Sequence, residues 1–311
     1  MINISFISTG TTATQTPVMA STAYEIIKDT IKKKEKELTD FPLAAIFDLS
    51  NMYSTLQFFA TDKILMRMGE LTSLIEEIRA SPDLDWSKCS FPSKFVHKDT
   101  KNPLFFMIPI FPRGMTSFLT KEETISLTKI IYNISQIIAK EGCEYIFFDL
   151  PVIDTMQKVR DNSIIPALLN SNIVIGVVDC NKPSYEDLVQ EINMLYTILS
   201  YFNTIANPKV FLHGVIFNQV TERVLSAQWL EKITEEQSLK ILGRVKQDPL
   251  FPKVTSKFQI PTIDSLFTKM KCAKDFQAAA ESIIDIFTET DNLRQVMESQ
   301  QQFLEENIYR F

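Results

Sequence analysis

Short, continuously apolar runs alternate with longer segments of helical period over almost the whole chain. The runs cover residues 3–8, 44–49, 104–109, 145–150, 173–179, 210–218 and 239–245. A strand with one wet face alternates apolar and polar residues, whereas a strand covered on both faces is apolar at successive positions. Most of these runs are of the second kind, so they are expected to be parallel and central. Between them, Leu127, Ile130, Ile131, Ile134, Ile137 and Ile138 recur at helical spacing behind Thr120-Lys-Glu-Glu123, which fits a capping box. Ser184-Tyr-Glu-Asp187 opens a second helix, with Leu188, Ile192, Leu195 and Leu199 on one stripe. Strand, turn, helix and strand in this order predict an α/β fold: a doubly wound, mainly parallel sheet with helices on both faces.

No internal repeat is visible. Residues 81–103, with Trp86 and Cys89-Ser-Phe-Pro-Ser-Lys-Phe95, fit neither pattern and read as a long loop or insertion. The body is expected to span 1–290, and 291–311 to form a helical tail with Leu293, Val296, Met297, Phe303, Leu304, Ile308 and Phe311 on one stripe. That tail is expected to pack on the body, with a protein or dimer contact as the alternative. Its Asp291, Glu298, Glu305 and Glu306 outnumber Arg294 and Arg310, which disfavours anionic lipid.

At 311 residues, 45% apolar and 23% charged, the composition is that of an ordinary globular chain long enough for one large α/β domain. The formal net charge of −6 leaves no domain-wide basic surface, so charge does not indicate a nucleic-acid partner. Lys28, Lys32, Lys33, Lys34 and Lys36 are interleaved with Asp29, Glu35 and Glu37 and read as a solvated helix end. Cys89, Cys143, Cys180 and Cys272 form no CxxC and are joined by only two histidines, which argues against structural zinc. So few cysteines in so long a chain fit a reducing cytoplasm. The opening Met-Ile-Asn-Ile-Ser-Phe-Ile-Ser lacks the pattern of a secretory signal, and no run is long enough for a membrane span. No Ser/His/Asp arrangement is present, and a histidine acid/base catalyst is poorly supported.

In a doubly wound sheet the ligand crevice lies beyond the carboxyl ends of the strands. Tyr145-Ile-Phe-Phe-Asp-Leu-Pro151 ends an apolar strand in Asp-x-Pro, Ile173-Val-Ile-Gly-Val-Val-Asp-Cys-Asn-Lys-Pro-Ser184 ends one in a Pro-Ser helix entry, and Gly214-Val-Ile-Phe-Asn-Gln219 ends one in Asn-Gln. With Ile241-Leu-Gly-Arg-Val-Lys-Gln-Asp-Pro249 and Phe105-Phe-Met-Ile-Pro109, these elements in this order resemble the ParA/MinD family of P-loop ATPases, the deviant Walker A group, over essentially residues 1–290. The resemblance implies a Walker B role for Asp149, holding a magnesium-bound water, and an adenine-reading role for Asn218. It places Asp248 in the loop that wraps the base. Ile46-Phe-Asp-Leu-Ser50 resembles the family's Asp-x-Asp, with Asp48 retained and Ser50 where the water-positioning acid stands.

The first loop departs from the family's Lys-Gly-Gly-x-Gly-Lys-Thr. Here it reads Thr9-Gly-Thr-Thr-Ala-Thr-Gln-Thr-Pro17, and no lysine precedes Lys28. In the favoured alignment Thr11 stands for the signature lysine, Thr16 for the P-loop lysine and Pro17 for the metal-binding Thr. A shift of that alignment brings Thr14 or Thr16 to the metal. The chain has 7 glycines, whereas an average composition would give about 22. Gly10 is the only one before Gly69. Side chains with Cβ hinder the left-handed conformations of a phosphate cradle.

The resemblance and its departures together point to a degenerate nucleotide site. Its residues are Gly10, Thr11, Thr14, Thr16, Asn218 and Asp248, with Asp48 and Asp149 as metal residues only if magnesium binds. The expected role is a pseudo-ATPase serving as a dimeric scaffold, adaptor or positioning factor, with a protein partner and no favoured cofactor. The alternative is an active ATPase with a rearranged loop, using ATP or ADP with magnesium and a cation from a partner subunit to drive DNA or cargo partition. A metal-cluster role is disfavoured, since Cys180 is its sole candidate ligand.

Overall fold

The computed structural model describes residues 1–9, 15–34, 41–50, 54–80, 85–114, 119–153, 163–180, 184–205, 210–221, 227–260, 270, 272–289 and 302. The strands are β1 (Ile2–Ile7), β2 (Ala44–Asp48), β3 (Phe91–Pro92), β4 (Phe105–Pro109), β5 (Tyr145–Asp149), β6 (Ile173–Asp179), β7 (Leu212–Val220) and β8 (Ile241–Lys246). They form one sheet in the order β3-β4-β2-β5-β1-β6-β7-β8. All neighbouring pairs are parallel except β3 with β4. Every apolar run of the sequence became a strand, with no end displaced by more than two residues.

Both faces of the sheet are covered, as the unbroken apolar runs require. Successive residues of one strand therefore serve different cores. Ala45 and Phe47 of β2 and Ile146 and Phe148 of β5 join one core cluster, while Ala44, Ile46, Tyr145 and Phe147 join the other. Phe47 and Phe148 are register partners and stack at 5.3 Å between ring centroids. On their face lie α5 (Lys121–Lys140), α6 (Ile165–Leu169) and α7 (Tyr185–Ile205). The capping box of α5 is formed: Thr120 Oγ1 accepts from Glu123 N at 3.2 Å, and Glu123 accepts from Thr120 N at 3.0 Å.

The opposite face carries α1 (Gln15–Lys33), α2 (Ser54–Phe59) and the last long helix. The remaining helices in chain order are α3 (Asp62–Met66), α4 (Leu74–Ala80), α8 (Ala227–Gln237), α9 (Phe251–Thr255) and α10 (Ala273–Glu289). Pro17 falls in the first turn of α1, where backbone N–H groups have no helical partner, so it does not break the helix. Lys28 pairs with Glu25, Lys33 with Asp29 and Lys34 with Glu144, as a solvated helix end would.

The segment expected as a loop over 81–103 is partly ordered by the sheet. A 3-10 turn spans Trp86–Cys89, and β3 pairs with Phe106 and Met107 at the sheet edge. Pro92, with no N–H, helps close that edge to further strands. All four cysteines are buried and free. Among the described residues no helix is long and apolar enough to cross a membrane. The predicted tail helix lies outside the described residues apart from Gln302.

Three strand glycines mark close approaches. A Cβ on Gly214 would stand 2.6 Å from the backbone oxygen of Lys240, whereas Gly69 has open space around it. Gly214→Ala should therefore destabilise the fold by about 1–3 kcal/mol, because a backbone atom must move. Gly69→Ala should be near neutral in the same denaturant unfolding measurement.

Candidate functional site at the strand ends

The strand order decides which loop residues meet. β5 lies between β2 and β1, so the carboxyl ends of all three converge, and Asp48 and Asp149 are register partners. The chain leaves β1 and enters α1 at Gln15 directly above the end of β5. Gln15 Nε2 donates to Asp149 Oδ1 at 3.0 Å and to the Leu150 carbonyl at 2.5 Å. Thr16 Oγ1 donates to Asp149 Oδ2 at 2.8 Å. Thr55, in the first turn of α2, gives its hydroxyl to Asp149 Oδ2 at 2.6 Å and its backbone N–H to Asp48 Oδ2 at 2.9 Å. Asp48 Oδ1 accepts from both the backbone and the hydroxyl of Ser50, and Ser50 Oγ in turn accepts from Ser54 N.

Both carboxylates are fully buried. Burial disfavours the charged form, and a like charge alongside adds to the effect. Burial, with the Asp149 charge second, raises the Asp48 pKa to about 7 against the opposing hydrogen bonds from Ser50 and Leu56. Burial raises Asp149 as well, opposed by Thr55, Thr16 and Gln15. No cluster of three or more His, Cys, Asp or Glu side chains suited to a metal occurs among the described residues.

A second group of strand ends lies across β6. Asn218 of β7 is the register partner of Asp179 and accepts from Cys180 N at 2.8 Å through its backbone oxygen. Its side-chain amide is wholly buried, and neither its nitrogen nor its oxygen has a hydrogen-bond partner among the described residues. An amide left so is costly, and such a group calls for an explanation. Gln219 follows at φ 58, in the left-handed region, where the register between β7 and β8 slips. Asp248 is buried, and its Oδ1 accepts from Leu250 N at 2.9 Å, which builds the turn into α9. Cys180 is buried, and burial pushes its thiol up, with Asp179 and Glu191 adding to the shift; this favours an inert thiol over a metal ligand.

Of the residues singled out in the sequence, Thr16, Asp48 and Asp149 come together, while Asn218 lies within β7 and Asp248 follows β8. Gly10, Thr11 and Thr14 lie outside the described residues. Gln15 and Thr55 were not singled out as site residues. The available signal was length and place: Gln15 has the longest side chain of its loop, and Thr55 opens the helix that follows an Asp-ended strand.

No family model matches the sequence, and no curated protein matches it. Solved structures do match over nearly the whole chain. The MinC:MinD cell division protein complex of Aquifex aeolicus aligns at 10% identity and TM-score 0.60, covering 92% of this chain and 96% of that one. A ParA family ATPase from Chlorobium tepidum aligns at 15% identity and TM-score 0.53, covering 90% and 98%. Cobyrinic acid a,c-diamide synthase from Mycobacterium smegmatis, with bound ADP and magnesium, aligns at 11% identity and TM-score 0.61, covering 93% and 96%. At such identities the likeness concerns the fold, and a fold hosts many activities.

The buried carboxylates carry a pH signature. Both pKa values are raised above the unfolded value of 3.8, so the folded state binds more protons than the unfolded state from about pH 4 to pH 7. Stability should fall as pH rises through that window, by more than about 1 kcal/mol, because the proton that folded Asp48 retains is lost there. Asp48→Asn should flatten the slope in denaturant unfolding measured across the window. Equal slopes in the two proteins would show that the pair does not titrate this way.

Proposed function

With the ParA/MinD α/β fold as the premise, we propose that this chain is a pseudo-ATPase acting as a dimeric scaffold, adaptor or positioning factor for a larger assembly. The observation that carries the reading is the Gln15 amide, bonded at once to Asp149 and to the Leu150 carbonyl at the start of α1. The Thr16 hydroxyl on Asp149 supports the shifted alignment, with Thr16 at the metal position in place of Pro17. Gln15 then stands where a P-loop lysine stands. An amide offers a dipole in place of a full positive charge.

The residues present do not fit magnesium with a triphosphate. Asp149 already accepts from Gln15, Thr16 and Thr55, and Asp48 accepts from Ser50 twice, Thr55 and Leu56. A carboxylate offers about four acceptor sites, so those of Asp48 are filled, whereas Asp149 keeps one on Oδ1 and the misfit there rests on the missing cation. The nearest lysine in sequence is Lys28, more than three turns into α1. Phosphoryl transfer depends on charge stabilisation, and one lost donor costs about 100- to 1000-fold. Hydrolysis without the cation is negligible on this account.

Support for a partner-binding role comes from the MinC:MinD complex, in which a protein of this fold is assembled with another. A second reading has its own observation. The unpartnered, buried amide of Asn218 suits the edge of a base, and it favours an ATPase that keeps a base site and takes its cation from a partner subunit.

Two measurements test the proposal. Titrating the full chain with ATP and magnesium chloride in a calorimeter should give no saturable heat, and phosphate release should stay at background. Micromolar binding that is lost in Asp149→Ala would overturn it. Gln15→Ala should cost about 1.5–3 kcal/mol in denaturant unfolding, because it strips a buried carboxylate of a donor. A neutral result would mean that the amide is not what satisfies the acid.

A further inference from the structure

After α2 the chain crosses from one face of the sheet to the other at the edge made by β3 and β4. Phe58 and Phe59 belong to one core, and Leu74 and Ile75 to the other. The crossing strap contains α3, which buries none of its residues although Ile64, Leu65 and Met66 are consecutive apolar side chains. Met66 is 85% exposed. Ile64 and Leu65 are half-buried against the core that holds Phe58 and Phe59, which leaves Met66 as the exposed apolar side chain of the helix.

Between the strap and β3 lies a cavity of about 430 Å³. Ile64, Leu71, Phe91 and Pro92 give it apolar walls, and Lys63, Arg67 and Lys88 line it with positive charge. Glu70, the one acidic residue in the lining, pairs with Arg67 at 2.7 Å. Lys88 is 60% exposed and reaches Glu77 at 3.2 Å, while Lys63 has no ion-pair partner among the described residues. With Arg67 and Lys88 paired to Glu70 and Glu77, the positive excess at the hollow on this chain of net charge −6 is carried by Lys63 and by the exposed end of Lys88.

We propose that this cavity docks an acidic peptide segment of a partner protein, with one or two apolar side chains in the hollow and carboxylates on Lys63 and Lys88. Apolar anchors ringed by charge are the usual anatomy of such a contact. Pro92 offers no N–H for strand addition, so recognition rests on side chains. A nucleic acid is the poorer fit, because phosphate backbones ask for an extended basic track and gain nothing from these apolar walls. The site is remote from Asp48 and Asp149 in function, and the inference goes beyond the pseudo-ATPase reading: ATP turnover would refute that reading and leave this one standing.

The test uses the full chain and a fluorescein-labelled synthetic peptide in which Glu alternates with Leu and Phe, followed by fluorescence anisotropy. Saturable binding is expected, weakened about tenfold or more in the Lys63→Glu, Lys88→Glu double variant and with a peptide carrying Gln for Glu. Lys88 pairs with the nearly buried Glu77, so the single Lys63→Glu variant, whose lysine has no ion-pair partner among the described residues, is the one that should keep its circular dichroism spectrum and melting temperature while binding more weakly. Absence of saturable binding, equal binding by the double variant, or tighter binding of a DNA oligonucleotide of the same length would each overturn the proposal.

Discussion

Two carboxylates stand side by side at the ends of adjacent strands, buried and without a cation among the described residues, and the surrounding structure is arranged to tolerate them. Leaving either acid unsatisfied in a low-dielectric interior would be expensive. The start of α1 and the start of α2 supply the donors instead. Thr55 is the joint, since its hydroxyl serves one acid and its N–H the other. These bonds fasten both helices to the sheet at the same point.

The few glycines follow the same logic. A Cβ on Gly176, Gly214 or Gly243 would come within 3 Å of a packed neighbour, and Gly114 and Gly142 sit at φ 79 and φ 106. Their places are close approaches within the sheet layers and turns, and they contribute nothing to the loop before α1. Only Gly10 remains there, amid side chains bearing Cβ. The loop is poor in glycine and has no lysine, and the donor that the start of α1 brings to Asp149 Oδ1 is the Gln15 amide.

The site was legible in part. Asp48, Asp149 and Asn218 could be found because a doubly wound sheet places its ligands at strand ends, and each ends an apolar run. Gln15 and Thr55 could not, because nothing in a linear pattern says that a side chain after β1 reaches the acid after β5. The sequence leaves two registers for the loop, one with Pro17 and one with Thr14 or Thr16 at the metal position, and the hydroxyl that reaches Asp149 is that of Thr16. Residues 81–103 read as a loop because two-residue strands carry no periodicity, yet the open side of β4 gives Phe91 and Pro92 partners.

By itself the sequence determined the layers. Continuous apolar runs need cover on both faces, and amphipathic helices between them need a sheet to lie on, so the doubly wound parallel architecture follows from local pattern alone. Which strands become neighbours does not follow, because every buried run is apolar enough to pair with any other. Tertiary structure chose the order that places β5 between β2 and β1. That choice sets Asp48 beside Asp149 and Gln15 above them, and turns three separate stretches of chain into one site.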